Sequence, residues 1–134
     1  MIRKWLVSGA AGFIGSNLVR YLLSHGQLVT GFDNFLTGKS SNIERLQTAY
    51  PKTFIFERLD VCDSDKIASL CDGVDVTVHL AGQASVQNSF EYVELNNKVN
   101  IDGFVSMMKT SYQAEIKTFI YASSCSVYGE VGVK

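Results

Sequence analysis

Apolar positions along the chain fall into two alternating rhythms. Five short β-rich runs, "KWLVSG", "QLVTGFD", "TFIFERLDV", "VDVTVHLAG" and "KTFIYASS", predict five strands. Between them lie segments with helical spacing. In "FIGSNLVRYLLSHG" the residues Phe13, Ile14, Leu18, Tyr21 and Leu22 recur close to the helical period. Gly26 reads as the C-cap of that helix, with His25 near its negative end. "SSNIERLQTAY" predicts a second helix, opened by serine or asparagine and closed by Pro51. "SDKIASLCDG" predicts a short third helix with Ser64 as its N-cap. A long helical stretch from about Tyr92 to Ala114 carries Val99, Phe104, Met107 and Met108. Strands that alternate with helices point to βαβ units, hence to an α/β fold with a doubly wound parallel sheet covered on both faces.

Length and composition narrow this picture without redirecting it. The 134 residues make one domain, 1–134, with no repeat, low-complexity tract or linker. A domain of this size buries about two-thirds of the surface its unfolded chain exposes. Apolar residues make up 46 % and charged residues 19 %, which argues against disorder. Twelve basic and thirteen acidic residues nearly cancel and form no blocks, so nothing favours nucleic acid or a membrane surface as partner. The apolar runs are far shorter than the roughly 20 residues a bilayer-spanning helix needs. "MIRKWLVSGAAG" has a basic pair, but its glycines interrupt the apolar region of a signal peptide, so none is expected. Three cysteines, Cys62, Cys71 and Cys125, show no metal-ligand spacing. They read as free thiols of a reducing, cytoplasmic environment, and no metal is expected. The last five residues, "EVGVK", read as loop.

The first candidate chemistry lies in Gly9-Ala10-Ala11-Gly12-Phe13-Ile14-Gly15, which follows a strand and opens a helix. In a dinucleotide fold the first glycine permits the tight turn, the second lets backbone approach a pyrophosphate, and the third lets helix and strand pack closely. The helix N-terminus then offers N–H groups and partial positive charge to that pyrophosphate. Asp33 ends the second strand, eighteen residues after Gly15, where a carboxylate meets the adenosine ribose hydroxyls. It would repel a 2′-phosphate, so NAD is favoured over NADP, although Lys39 lies nearby. A Rossmann-type sheet is the consistent architecture. "VHLAGQASV" ends the fourth strand in small residues, as backbone lying against a cofactor requires. His79, inside an apolar strand, reads as a hydrogen-bonded core histidine rather than a catalyst. Asn100 either bonds loop backbone beneath the cofactor or faces solvent.

Taken together, "SGAAGFIGSNLV", "DNFLTGKSSNI", "LDVCD", "HLAGQASV", "NIDGF" and "YASSCSVYGE" resemble the extended short-chain dehydrogenase/reductase family, in its sugar-nucleotide epimerase and dehydratase branch. "DNFLTGK" with "NIDGF" looks most like the UDP-N-acetylglucosamine and UDP-glucose 4-epimerases. The resemblance implies that Phe13 and Ile14 present backbone to the pyrophosphate. It places Asp33 and Asn34 at the adenosine ribose, with Thr37, Gly38 and Lys39 nearby, and Asp60 and Val61 at the adenine. Leu80, Ala81, Gly82 and Gln83 would line the nicotinamide-side ribose and phosphates, supported by Asn100. Ser85 and Val86 would lie toward the sugar. Ser124 matches the catalytic serine or threonine that hydrogen-bonds the reacting sugar hydroxyl, and Ser126 is its polar neighbour.

In that family a tyrosine and a lysine four residues later, beyond the serine, act as the base. Removing a hydroxyl proton as hydride leaves requires a base with a near-neutral pKa, whereas an unperturbed tyrosine is near 10. No tyrosine of this sequence has a lysine four residues on. Tyr128 of "VYG" reads as structural, and Cys125 reads as a small buried residue rather than a redox-sensitive thiol. The resemblance thus implies the NAD-binding portion of a sugar-nucleotide 4-epimerase, truncated before its remaining strands and substrate region, and inactive alone. A 4,6-dehydratase fragment and a non-catalytic NAD-binding module remain open. The expected partners are a nucleotide-sugar substrate and either a second copy or the missing C-terminal part. Either of the last two would cover apolar surface at an open sheet edge.

Overall fold

The computed structural model describes residues 1–129; of Ser126 the side chain lies outside the description, as does the expected loop at 130–134. The elements are β1 (Lys4–Ser8), α1 (Phe13–Ser24), β2 (Leu28–Asp33), α2 (Ser40–Ala49), β3 (Phe54–Arg58), α3 (Ser64–Leu70) and β4 (Val76–His79). There follow α4 (Val86–Glu91), α5 (Val93–Asn97), a π turn over Lys98–Asp102, α6 (Gly103–Gln113), β5 (Thr118–Tyr121) and a 3₁₀ turn at Cys125–Tyr128. The five strands form one parallel sheet in the order β3-β2-β1-β4-β5. This is the doubly wound, Rossmann-type sheet that the alternating pattern predicts.

Strand alternation divides the core into two layers. On β1, Val7 faces one layer with Val29, Val76 and Val78, packed against Val19, Leu22 and Leu23 of α1 and Ile43 and Leu46 of α2. Leu6 faces the other with Phe32, against Ile67 of α3 and Met107 of α6. The polar residues of β4 follow the same period. Thr77 and His79 turn toward α6, where the Ser111 hydroxyl donates to Thr77 Oγ1 at 3.1 Å and the His79 ring meets Phe104 at 5.9 Å.

Helix ends follow local chemistry. Gly26, with φ +72°, adopts the left-handed conformation that ends α1. His25 Nδ1 lies 2.8 Å from the carbonyl of Tyr21 and donates to it, satisfying one of the helix's last acceptors. One of these expectations is corrected. Ser64 is the first helical residue of α3 rather than its cap; Asp63 holds the cap position, with no side-chain cap bond. The long helix runs where expected, from Val93 with Tyr92 at its cap, through the π turn, to Gln113 with Ala114 at its end. A separate short helix, α4, was not expected: it starts at Val86, where Ser85 Oγ accepts from Asn88 N–H at 3.2 Å, and Tyr92, with φ −124° and ψ 56°, divides it from the long helix. The π turn widens the helix around Val99 and Asn100, and just after it a Cβ at Gly103 would stand 2.5 Å from Val61 Cγ1. Cys125 is exposed rather than buried, because the last strand and its following turn have no covering layer among the described residues.

Candidate cofactor cleft

β1 lies between β2 and β4, so chain crossovers diverge on either side of it. Ligand crevices in open parallel sheets form at such switch points, outside the carboxyl ends of the strands. Here that crevice is a cleft open to solvent. Gly9 and Gly12 line it from the first loop; Phe32, Asp33, Asn34, Leu36 and Thr37 from the end of β2; Leu59 and Val61 from the end of β3. Leu80, Ala81 and Gly82 form the wall after β4, with Val99 from the π turn.

The first loop fits only as glycine at two points. Gly9 has φ +70°, and a Cβ there would stand 2.8 Å from Ala81 N. A Cβ on Gly15 would come within 2.0 Å of the Gly9 carbonyl oxygen, backbone against backbone. Gly12 is the N-cap of α1, so the helix opens on the cleft with first-turn N–H groups that have no partner within the helix. The side chains of Phe13 and Ile14 are exposed; what they can offer the cleft is backbone.

Asp33 ties the loops around the cleft together. Its Oδ2 accepts from Ala11 N–H at 3.0 Å and its Oδ1 from Phe35 N–H at 2.8 Å, with only 9 % of the residue exposed. A carboxylate has about four acceptor sites, so two remain for hydroxyls of a ligand. Gly38 packs beneath it: a Cβ there would lie 3.0 Å from Asp33 Oδ1 and 2.7 Å from Ala11 Cβ. Lys39 is exposed, and its backbone N–H donates to Ala11 O at 3.1 Å. Asp60 stands behind the lining rather than in it. It accepts from Asn34 Nδ2 at 2.8 Å and Cys62 N–H at 2.9 Å. Partial burial pushes its carboxyl up, but these hydrogen bonds and the Lys98 charge outweigh that and leave it below the ordinary carboxylate value.

On the opposite wall, Asn100 clasps Gln83: its Oδ1 accepts from Gln83 N–H at 2.8 Å and its Nδ2 donates to Gln83 O at 3.0 Å. Of the two readings open for Asn100, backbone support of the loop is the one observed. His79 is 5 % exposed, and its Nδ1 lies 2.8 Å from Ser8 Oγ. Burial lowers its pKa from 6.5 to about 4. It is the hydrogen-bonded core histidine expected. The thiols are ordinary too: burial pushes both Cys62 and Cys71 up, away from the thiolate.

Not every expected residue converges on the cleft. The Ser85 hydroxyl caps α4, and Val86, exposed, opens that helix. Ser124 is exposed, past the end of β5, and Tyr128 is exposed as well. None of these lines the crevice. Five contributors were not singled out as site residues from sequence: Phe32 and Val99, which read only as strand and helix positions, and Leu36, Leu59 and Asn42. Leu36 and Leu59 carry no signal beyond being apolar next to Asp33 and Asp60. Asn42, whose Nδ2 donates to Ala11 O at 2.9 Å, lies in a segment that read simply as the start of α2. Among the described residues no group of three His, Cys, Asp or Glu is placed to hold a metal, and no helix is long and apolar enough to cross a membrane.

Comparison with known proteins agrees with this geometry. Residues 5–134 match the model of the NAD dependent epimerase/dehydratase family. The chain belongs to that family, whose cofactor is NAD. It is 36 % identical over 128 residues to a UDP-glucose 4-epimerase of Mycolicibacterium smegmatis, covering 94 % of this chain and 40 % of the relative. Its fold superposes with a TM-score of 0.89, at 26 % identity, on a UDP-glucose-4-epimerase of Stenotrophomonas maltophila with bound NAD and formylated UDP-arabinopyranose; the match covers 98 % of this chain and 40 % of that one. A dTDP-glucose 4,6-dehydratase, DesIV of Streptomyces venezuelae, with NAD bound, gives 0.90 at 26 % identity, covering 98 % of this chain and 42 % of that one. The chain thus spans about 40 % of the length of the relatives it matches.

Proposed function

We propose that these 134 residues are the NAD-binding portion of a sugar-nucleotide 4-epimerase acting on a UDP-hexose or UDP-N-acetylhexosamine. The observation that carries this reading is the switch-point cleft, with its glycine-built loop at one side and the buried Asp33 carboxylate at the other. When bound, NAD supplies an acceptor and donor of hydride. The first-turn N–H groups of α1 at Phe13 and Ile14 hold the pyrophosphate. Asp33, with Asn34 beside it, takes the adenosine ribose hydroxyls on its remaining acceptor sites and repels a 2′-phosphate. Thr37, Gly38 and Lys39 border that end, and Val61 borders the adenine, with Asp60 behind it holding Asn34 and the Cys62 backbone. Leu80 to Gln83 form the wall toward the nicotinamide, with Asn100 fixing its far end.

Ser124 follows β5, whose neighbour in the sheet is β4, and so stands on the side of the molecule toward which the wall after β4 leads. Its hydroxyl would orient the reacting hydroxyl of the sugar, with Ser85 and Val86 on the same flank. The proton of that hydroxyl needs an acceptor of near-neutral pKa, and no Tyr-x-x-x-Lys pair is present in the sequence. The chain alone therefore binds NAD without turning over sugar nucleotides. A 4,6-dehydratase is the second reading, favoured by the fit to DesIV as good as that to the epimerases.

Calorimetric titration of NAD into the 134-residue chain, with NADP as control, tests the proposal. Saturable NAD binding with weaker NADP binding is the expected result. A folded chain with no affinity for NAD, or with a preference for NADP, overturns it.

A further inference from the structure

We propose that Ser8 and His79 form a positioning pair that sets the wall of the cleft at Leu80 and Ala81; this rests on the cofactor reading above. Both residues are buried, at the ends of adjacent strands. Ser8 Oγ is within 2.8 Å of His79 Nδ1, 3.2 Å of Leu80 N and 3.3 Å of Ala81 N. A hydroxyl has one proton and two lone pairs. The two N–H groups take the lone pairs, so the proton must go to Nδ1. That requires a neutral His79 with its own proton on Nε2. Burial keeps this imidazole neutral, with Phe104 and Phe119 packed 5.9 and 6.4 Å from its ring.

The pair sits where the two walls of the cleft meet. A Cβ on Gly9, the residue after Ser8, would strike Ala81 N and Leu80 C at 2.8 Å, so the first loop and the wall after β4 touch back to back. Leu80 N–H also reaches Ser8 O at 3.3 Å in the strand ladder, whereas Ser8 Oγ is the partner of Ala81 N–H. At the other end of the wall Asn100 clasps Gln83. The stretch from Leu80 to Gln83 is thereby held by a side chain at each end, with Gly82 lining the cleft between them. A core histidine serving only the packing of β4 would leave Ala81 indifferent to the Ser8 hydroxyl; this pair does not.

Three measurements on the 134-residue chain test it. The ¹⁵N resonances of His79 at neutral pH are expected to show a proton on Nε2 and a bare Nδ1; the opposite tautomer overturns the proposal. In Ser8→Ala, and in His79→Phe, which keeps the aromatic packing, the Ala81 amide should exchange about tenfold faster, and NAD should bind about tenfold more weakly. The double variant should bind NAD no worse than the weaker single one, because the two side chains act as one unit. Wild-type NAD affinity and Ala81 exchange in a folded Ser8→Ala chain overturn the pair. Failure of the wild-type chain to bind NAD overturns the cofactor reading instead, and the tautomer and exchange measurements then decide the pair by themselves.

Discussion

The two flanks of β1 are built to different degrees of closure. Toward β2, five of the six residues of β2 are buried, and α1 and α2 together bury Val19, Leu22, Leu23, Ile43 and Leu46 against the sheet. Toward β4, the four residues of β4 are buried, yet β5 beside it has no buried residue. Ile120, Tyr121, Val105, Met108, Phe90 and Val93 all remain exposed on that side. Both flanks obey the same strand–helix alternation, so topology does not distinguish them. What differs is whether the apolar face of the last element finds a partner within the described residues. The flank that surrounds Asp33 is the more closed of the two, although its outer strand β3 is largely exposed; the flank that leads to Ser124 leaves its last strand without a buried residue among the described residues.

The comparison breaks most sharply under core substitutions. Gly15→Ala forces a Cβ onto the Gly9 carbonyl, and neither backbone segment can yield, so a loss of about 3 kcal/mol or more is expected. Leu6→Ala, at a residue with no exposure, should cost about 3 kcal/mol in urea denaturation. Ile120→Ala, at 46 % exposure, should cost about 1 kcal/mol or less. Equal losses for Leu6→Ala and Ile120→Ala would mean that β5 is covered in solution, and the contrast between the flanks would fail.

A second contrast is in acid. His79, on the β4 side, is held neutral to about pH 4, while its unfolded value is 6.5. Between those values the unfolded chain binds the proton and the folded chain does not, so stability is full above pH 6.5 and falls as pH drops toward 4. The gap corresponds to about 3 kcal/mol. Asp60, on the β3 side, has its folded value depressed below 3.8, so its contribution survives this window and is lost only as pH falls further, through that lower value. Urea midpoints followed against pH should show both steps. His79→Phe should remove the upper one and spare the lower; an upper step that persists in that variant would assign it to another group.

Asp33→Ala should weaken NAD binding about tenfold to a hundredfold and narrow the preference over NADP, as loss of a charge-assisted acceptor predicts. Part of that loss would come through Ala11 and Phe35, whose N–H groups it anchors. Unchanged affinity would remove Asp33 from the ribose.

How far the sequence foretold this molecule follows the same divide. The five strands, the glycine turn and Asp33 were legible because each is fixed by its neighbours in sequence: alternation, a backbone clash, the end of a strand. His79 was legible as a core residue, because an imidazole inside an apolar strand has few other fates. The partner that makes it informative, Ser8, was not, since it lies 71 residues away and meets His79 only through the register of β1 with β4. The short helix α4 was not foreseen for a related reason. Ser85 carries a cap signal, but six residues of α4 and the break at Tyr92 give no sustained period to read. The exposure of Cys125 depends on what packs over β5, which no local pattern encodes.

The smallest expected effect falls at Ser124. The residue is exposed, beyond the last strand and outside the cleft lining. Ser124→Ala in this chain should therefore leave NAD affinity as it was. A drop in NAD affinity would show that the turn after β5 folds back onto the cleft, and the two flanks would have to be treated as one site. In a longer protein that carries this segment together with a Tyr-x-x-x-Lys pair, the same substitution should lower turnover about a hundredfold or more, because the hydroxyl it removes would orient the group that loses its proton. Full turnover there would take the serine out of the chemistry. The pairing of a silent variant in the short chain with a crippled one in the long chain is what a site divided between the two flanks requires.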